Sequence, residues 1–143
     1  MVIAVDFDGT IVKDEWPEIG KLRFGARRCL WWLFKRNHTL ILWTCRQSES
    51  LEEAIQYLKQ HSIRYVFDYI NENAEERIDQ FNNDPRKIGA DWYIDDKAGF
   101  LGWWSVPLIV LWLELKFTYG KRGNIFATNH TRRLFRAIKD IGG

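Results

Sequence analysis

The chain has 143 residues, 46% of them hydrophobic and 28% charged. That is enough for one domain with a sizeable core, and it excludes a disordered, collagen-like or disulfide-scaffold chain. The net charge of +2 is uneven: from Lys116 onward seven Lys or Arg face one acid, a net +6, on a body of −4.

Val2 to Val5 is a short apolar run of the kind that fills a central strand covered on both faces. No basic stretch precedes it, so it does not read as a signal peptide. It stops at Asp6-Phe7-Asp8-Gly9-Thr10. In extended backbone residues i and i+2 share a side, so Asp6 and Asp8 are expected to face one site just past the strand. Gly9 suits a tight turn, and Thr10 adds a hydroxyl and a backbone N–H. Two crowded carboxylates repel unless a shared proton or a cation relieves them, and a hard divalent ion such as Mg²⁺ fits oxygen ligands.

Lys13 to Lys21 is polar, carries Pro17 and Gly20, and reads as a short loop or flap. A helix is expected from about Leu22 to Arg36, ended by Asn37 in a left-handed conformation. Thr39 to Trp43 reads as a second buried strand ending at Thr44-Cys45-Arg46, and Ser50 to Glu53 as a capping box opening a helix to about His61. Tyr65 to Tyr69 is a weaker strand. Asn71 to Asn83 is acidic and amide-rich, and no element is assigned to it. Trp92 to Ile94 is a strand ending at Asp95-Asp96.

Ala98 to Leu113 has no charge and includes Trp103, Trp104 and Trp112. It is shorter than the roughly 20 apolar residues that span a bilayer, so no membrane span is expected. It reads as an aromatic loop and a fifth strand, Leu108 to Leu113; contact with a membrane or a partner, including a second copy in a homo-oligomer, is the competing use. A last helix, Arg132 to Ile141, is expected after Asn129 or Thr131.

Alternation of strands and helices predicts an α/β fold with a mostly parallel sheet, helices on both faces, and a single domain over 1–143. Ligands sit beyond the carboxyl ends of such strands, where Asp6, Asp8, Thr44, Asp95 and Asp96 all fall. Arg46 is near Thr44, but an Arg at a strand end is more often a surface charge. Asp91 is read as terminating a loop outside the site. His38, His61 and His130 show no metal spacing and are expected at the surface. Cys29 and Cys45 form no Cys-x-x-Cys pair, and neither has an Arg six positions on, which argues against zinc and against a cysteine-based phosphatase. A reduced, cytoplasmic setting is expected.

The pentapeptide Asp6 to Thr10 resembles the first motif of the haloacid dehalogenase superfamily, Asp-x-Asp-Gly-Thr. Leu40-Ile-Leu-Trp-Thr44 is similar to its second, Lys87 (with Arg86 beside it) to its third, and Trp92-Tyr-Ile-Asp-Asp96 to its fourth. The resemblance covers residues 1–97 and implies a three-layer Rossmann-like core with no large cap.

It further implies a Mg²⁺-dependent phosphomonoester hydrolase working through an aspartyl-phosphate. Asp6 would be the nucleophile and Asp8 the acid/base. Gly9, Thr10, Thr44, Cys45, Arg46 and Lys87 would bind phosphate. Asp6, Asp8 (through its backbone carbonyl), Asp95 and Asp96 would hold the metal. Asp8 argues against the dehalogenase branch, and the short chain against a mutase with its larger cap. The substrate would be phosphorylated, and the open site suits a bulky or polymeric one. Two other readings remain: a non-catalytic regulatory or phosphate-binding protein, and a nucleic-acid-end phosphatase using the basic C-terminal segment.

Overall fold

The computed structural model describes residues 1–120, with side chains to 117, so the helix expected at Arg132 to Ile141, its capping residues and His130 lie outside the described residues. The chain divides into two compact units, Met1–Trp103 and Trp104–Gly143.

The first unit is built on a parallel four-stranded sheet. Its strands are β1 (Val2–Val5), β4 (Thr39–Leu42), β5 (Tyr69–Ile70) and β6 (Trp92–Ile94), in the order β5-β4-β1-β6. Strand β1 is central, with Ile3 opposite Leu40 on one side and Trp92 on the other. Every residue of β1 and β4 is buried, as their unbroken apolar runs require. Each such Val, Ile or Leu contributes about 1.5–3 kcal/mol by leaving water.

Helices α1 (Ala26–Lys35) and α2 (Ser48–Gln60) carry the chain from β1 to β4 and from β4 to β5, stepping across the sheet in one direction. Helix α3 (Glu75–Phe81) lies on the return from β5 to β6. Right-handed crossovers therefore put α1 and α2 on one face and α3 on the other, giving three layers. Val2, Ala4 and Ile41 pack with Ala74 and Ile88 on the α3 side. The alternate set, Ile3, Val5, Leu40 and Leu42, faces the opposite layer. The α/β architecture follows the sequence reading, and no cap is present among the described residues.

Several elements differ from expectation. Lys13 to Lys21 is no loop: β2 (Val12–Glu15) and β3 (Glu18–Leu22) form an antiparallel hairpin with Trp16-Pro17, joined by a cis peptide, at its tip. Leu22 thus belongs to a strand, and α1 starts at Ala26 after Gly25. Asn37 does take the left-handed conformation. Helix α2 opens three residues early: its cap is Gln47, and Ser50, the third helical residue, closes the capping box.

Of Tyr65 to Tyr69, the first two residues belong to a 3₁₀ turn, Arg64–Val66, and only Tyr69–Ile70 pairs as a strand. The amide-rich stretch holds α3. Glu75 and Glu76 in its first turn suit the positive helix end, and left-handed Asn82 stops it. His38, expected at the surface, is buried.

In the second unit, Leu108 to Leu113 is no strand but part of helix α4 (Val106–Gly120). Leucine favours helix, and Pro107 is tolerated because it falls in the first turn. No helix among the described residues is long and apolar enough to cross a membrane.

Candidate functional site

Beyond Val5 the backbone leaves the sheet in a tight turn: Ile11 and Val12 both donate to the Phe7 carbonyl. Asp6 is the first residue past the strand, its N–H bound to the Ile94 carbonyl of β6. That pairing sets it beside Asp95 and Asp96, the residues following β6. One oxygen from each of Asp6, Asp95 and Asp96 lies within 4.8 Å of the others, and all three are half-buried.

Gly9 makes this proximity feasible. Its φ is +78°, and a Cβ there would stand 2.5 Å from an Asp96 carboxylate oxygen. Only glycine combines that conformation with that space. Thr10 is fully buried and its hydroxyl accepts from the Asp96 N–H at 2.9 Å. Its carbonyl accepts from the Trp103 indole at 2.9 Å. Trp103 is therefore a buried strut under the turn, and Thr10 orders the carboxylates.

Burial pushes the Asp6 carboxyl up to about 7 from 3.8. Asp95 and Asp96 add to the rise, against hydrogen bonds from the Phe7 backbone and the Thr10 hydroxyl. Three oxygens so placed fit a hard divalent cation, which would relieve the burial and repulsion that raise Asp6. Asp95 spends one oxygen on the Lys97 N–H at 2.7 Å. Lys97 was not foreseen. Its ammonium bonds Asp96 at 2.7 Å and lies 3.8 Å from Asp14 of the hairpin, and Asp96 holds its pKa above the ordinary lysine value. Its position directly after Asp95-Asp96 was the only available signal.

Asp8 does not join the carboxylate cluster through its side chain. Both its oxygens are clasped by Arg46, from Nε and Nη2, each at 2.8 Å. Arg46 is no surface charge: it is 1% exposed. The same guanidinium donates to the Pro17 and Glu18 carbonyls at 3.3 and 2.9 Å, and lies 4.8 Å from the Trp16 ring centre and 5.4 Å from that of Phe7. So the residue expected on phosphate instead ties Asp8 to the hairpin, which is the flap of the site. A second arginine, Arg23 at the hairpin's far end, donates to the Gly9 carbonyl.

Thr44 is buried at the end of β4; its N–H donates to Asn71 Oδ1 and its hydroxyl oxygen accepts from the Arg46 N–H at 3.2 Å. The hydroxyl proton remains available to an anion. Cys45 is exposed beside it, and both cysteines are free. Lys87 is exposed, on a loop pinned by Asn73, which bonds Asp84, Pro85 and Gly89. Asp91 lies outside the cluster as expected, accepting from the Val2 N–H and pairing with Arg77.

No family model and no curated protein matches the chain. Among solved structures, it is similar to a conserved protein coded by a locus from Bacteroides thetaiotaomicron. The two share 35% identity over 84% of this chain and 94% of that one, with a TM-score of 0.66.

Proposed function

The chain belongs to the family of that conserved Bacteroides thetaiotaomicron protein, and we propose that it is a Mg²⁺-dependent phosphomonoester hydrolase of the haloacid dehalogenase type. The observation that carries this reading is the meeting of Asp6, Asp95 and Asp96 over a glycine that makes room for them. Asp6 and Asp96, 90 positions apart in the chain, meet only because β1 and β6 are neighbours.

Asp6, Asp95 and Asp96 would hold the ion, which supplies positive charge against an incoming phosphate. An Asp6 oxygen then attacks phosphorus as the bond to the leaving oxygen breaks, leaving an aspartyl-phosphate that water hydrolyses. The Thr44 hydroxyl is placed at the end of β4 to donate to a phosphoryl oxygen. Asp8 is the acid/base, but its two oxygens are occupied by Arg46, so it serves only after turning from the guanidinium toward the leaving group. Lys97, also exposed but bonded to Asp96, is better placed than Lys87 to balance the charge of the carboxylates.

The clasp on Asp8 favours one second reading: a protein that binds a phosphorylated ligand without turning it over. Phosphate release from an aryl phosphate, with and without Mg²⁺, separates them. We expect turnover that a chelator removes and Asp6→Asn abolishes, while Asp8→Asn slows it about 10²–10⁴-fold. Bound Mg²⁺ with no hydrolysis of any phosphoester would leave the binding reading. The nucleic-acid-end alternative rests on basic residues outside the described ones, and a reduced cytoplasmic setting remains part of the proposal.

A further inference from the structure

The flap carries a side chain that its own folding does not require. A two-residue hairpin tip is normally polar, yet here it is Trp16-Pro17, with Glu15 paired to Glu18 behind it. Trp16 is 59% exposed. Its position is nevertheless fixed, because its ring lies 4.8 Å from the Arg46 guanidinium, which also holds the flanking Pro17 and Glu18 carbonyls. The same guanidinium holds Asp8. A large, rigid aromatic surface therefore stands one guanidinium away from the group assigned to the leaving oxygen, with most of its area open to solvent.

We propose that Trp16 is a stacking platform for the leaving group, and that the substrates are phosphomonoesters of alcohols that carry a flat aromatic group, nucleoside 5′-monophosphates above all. This deepens the hydrolase reading and rests on it for the placement of the phosphate. The geometry suits a base joined to its phosphate through a sugar. The phosphate lies on Asp6 and Thr44, the sugar oxygen faces Asp8, and the base reaches the flap tip. Charge narrows the class further. Asp14, Glu15 and Glu18 surround the tip, with Lys13 and Lys21 only at the hairpin's base. A neutral base is welcome there, whereas the next phosphate of an oligonucleotide meets Glu15 and Glu18, with Asp14 behind them facing Lys97 at 3.8 Å.

The test compares adenosine 5′-monophosphate with ribose 5-phosphate, the same phosphoester on the same sugar without the base. One stacked base is worth on the order of 5- to 150-fold, and we expect the wild-type kcat/KM ratio to lie in that range. The ratio cancels any effect of a substitution on the shared chemistry. Trp16→Ala should bring it close to one, chiefly through KM, and Trp16→Phe should retain most of it. A 5′-phosphorylated oligonucleotide should be a poorer substrate than the mononucleotide; a better one would overturn the restriction to mononucleotides.

A wild-type ratio near one, or a high ratio that survives Trp16→Ala, would overturn the platform while leaving the hydrolase intact. If neither ester is hydrolysed, calorimetric titration of both compounds with Mg²⁺ decides. A Trp16-dependent preference for the nucleotide keeps the platform and removes the hydrolase; equal affinities remove both.

Discussion

Asp6 is asked to be a nucleophile, yet burial and its acidic neighbours favour its protonated form up to about pH 7. Its pKa is raised above the unfolded value, so between about 3.8 and about 7 the folded protein keeps a proton that the unfolded chain has lost. The stability this gives is complete below the unfolded value and is lost as pH rises through the folded one. Without metal, the wild type should lose melting temperature relative to Asp6→Asn between pH 4 and 7, since asparagine is neutral throughout. A difference that stays flat over this range would refute the assignment. The cation and the proton compete for the same oxygen, so Mg²⁺ affinity should fall below pH 7, by up to roughly tenfold per unit.

At the scale of elements, the flap is two short strands whose tip is tethered from below by one buried arginine. Arg46→Lys keeps a charge but loses the planar fork that serves Asp8 and two carbonyls together. We expect faster amide exchange across 12–22 in this variant, with β1 and β4 unchanged; uniform exchange across both regions would mean that Arg46 serves only the core. The arginine was hidden in the sequence because its partner is 38 positions away and because arginine is usually a surface residue. Strands β1 and β4 were legible since burial on both faces leaves an unbroken apolar run, and β6 because its short Trp92 to Ile94 run stops at an acidic pair. Helix α4 was misread for a related reason: a run apolar all round carries neither a two-residue nor a 3.6-residue period. The flap hairpin gave no alternation to read, since only Val12 of β2 is buried. Asp6, Asp95 and Asp96 could be located beyond the ends of β1 and β6 because Asp6 and Asp95 directly follow a legible strand. The contacts of Lys97 and Trp16 depend on what the fold brings beside them, which no local pattern records.

For the whole molecule, the carboxylates Asp6, Asp95 and Asp96 join the ends of the two neighbouring strands β1 and β6, so a cation held by them should be felt globally. A ligand at one hundred times its dissociation constant stabilises by about 2.7 kcal/mol, which for a chain of this length raises the melting temperature on the order of 5–10 °C. Mg²⁺ should produce such a shift, chelator should reverse it, and Asp95→Asn should shrink it. A melting temperature indifferent to Mg²⁺ at millimolar concentration would count against the cluster as a cation site.

The bond between the Trp103 indole and the Thr10 carbonyl spans 93 positions of chain. During synthesis, the turn bearing Asp6 and Asp8 lacks its strut and its partner carboxylates until residue 103 has followed. At about 5–20 residues per second, that delay is on the order of 5–20 s. Throughout it, Val2 to Val5, the most buried strand of the finished protein, has no β6 to pair with. The nascent chain thus cannot assemble its carboxylate cluster piecemeal, and a segment made before β4 and β6 is among the last to be completed.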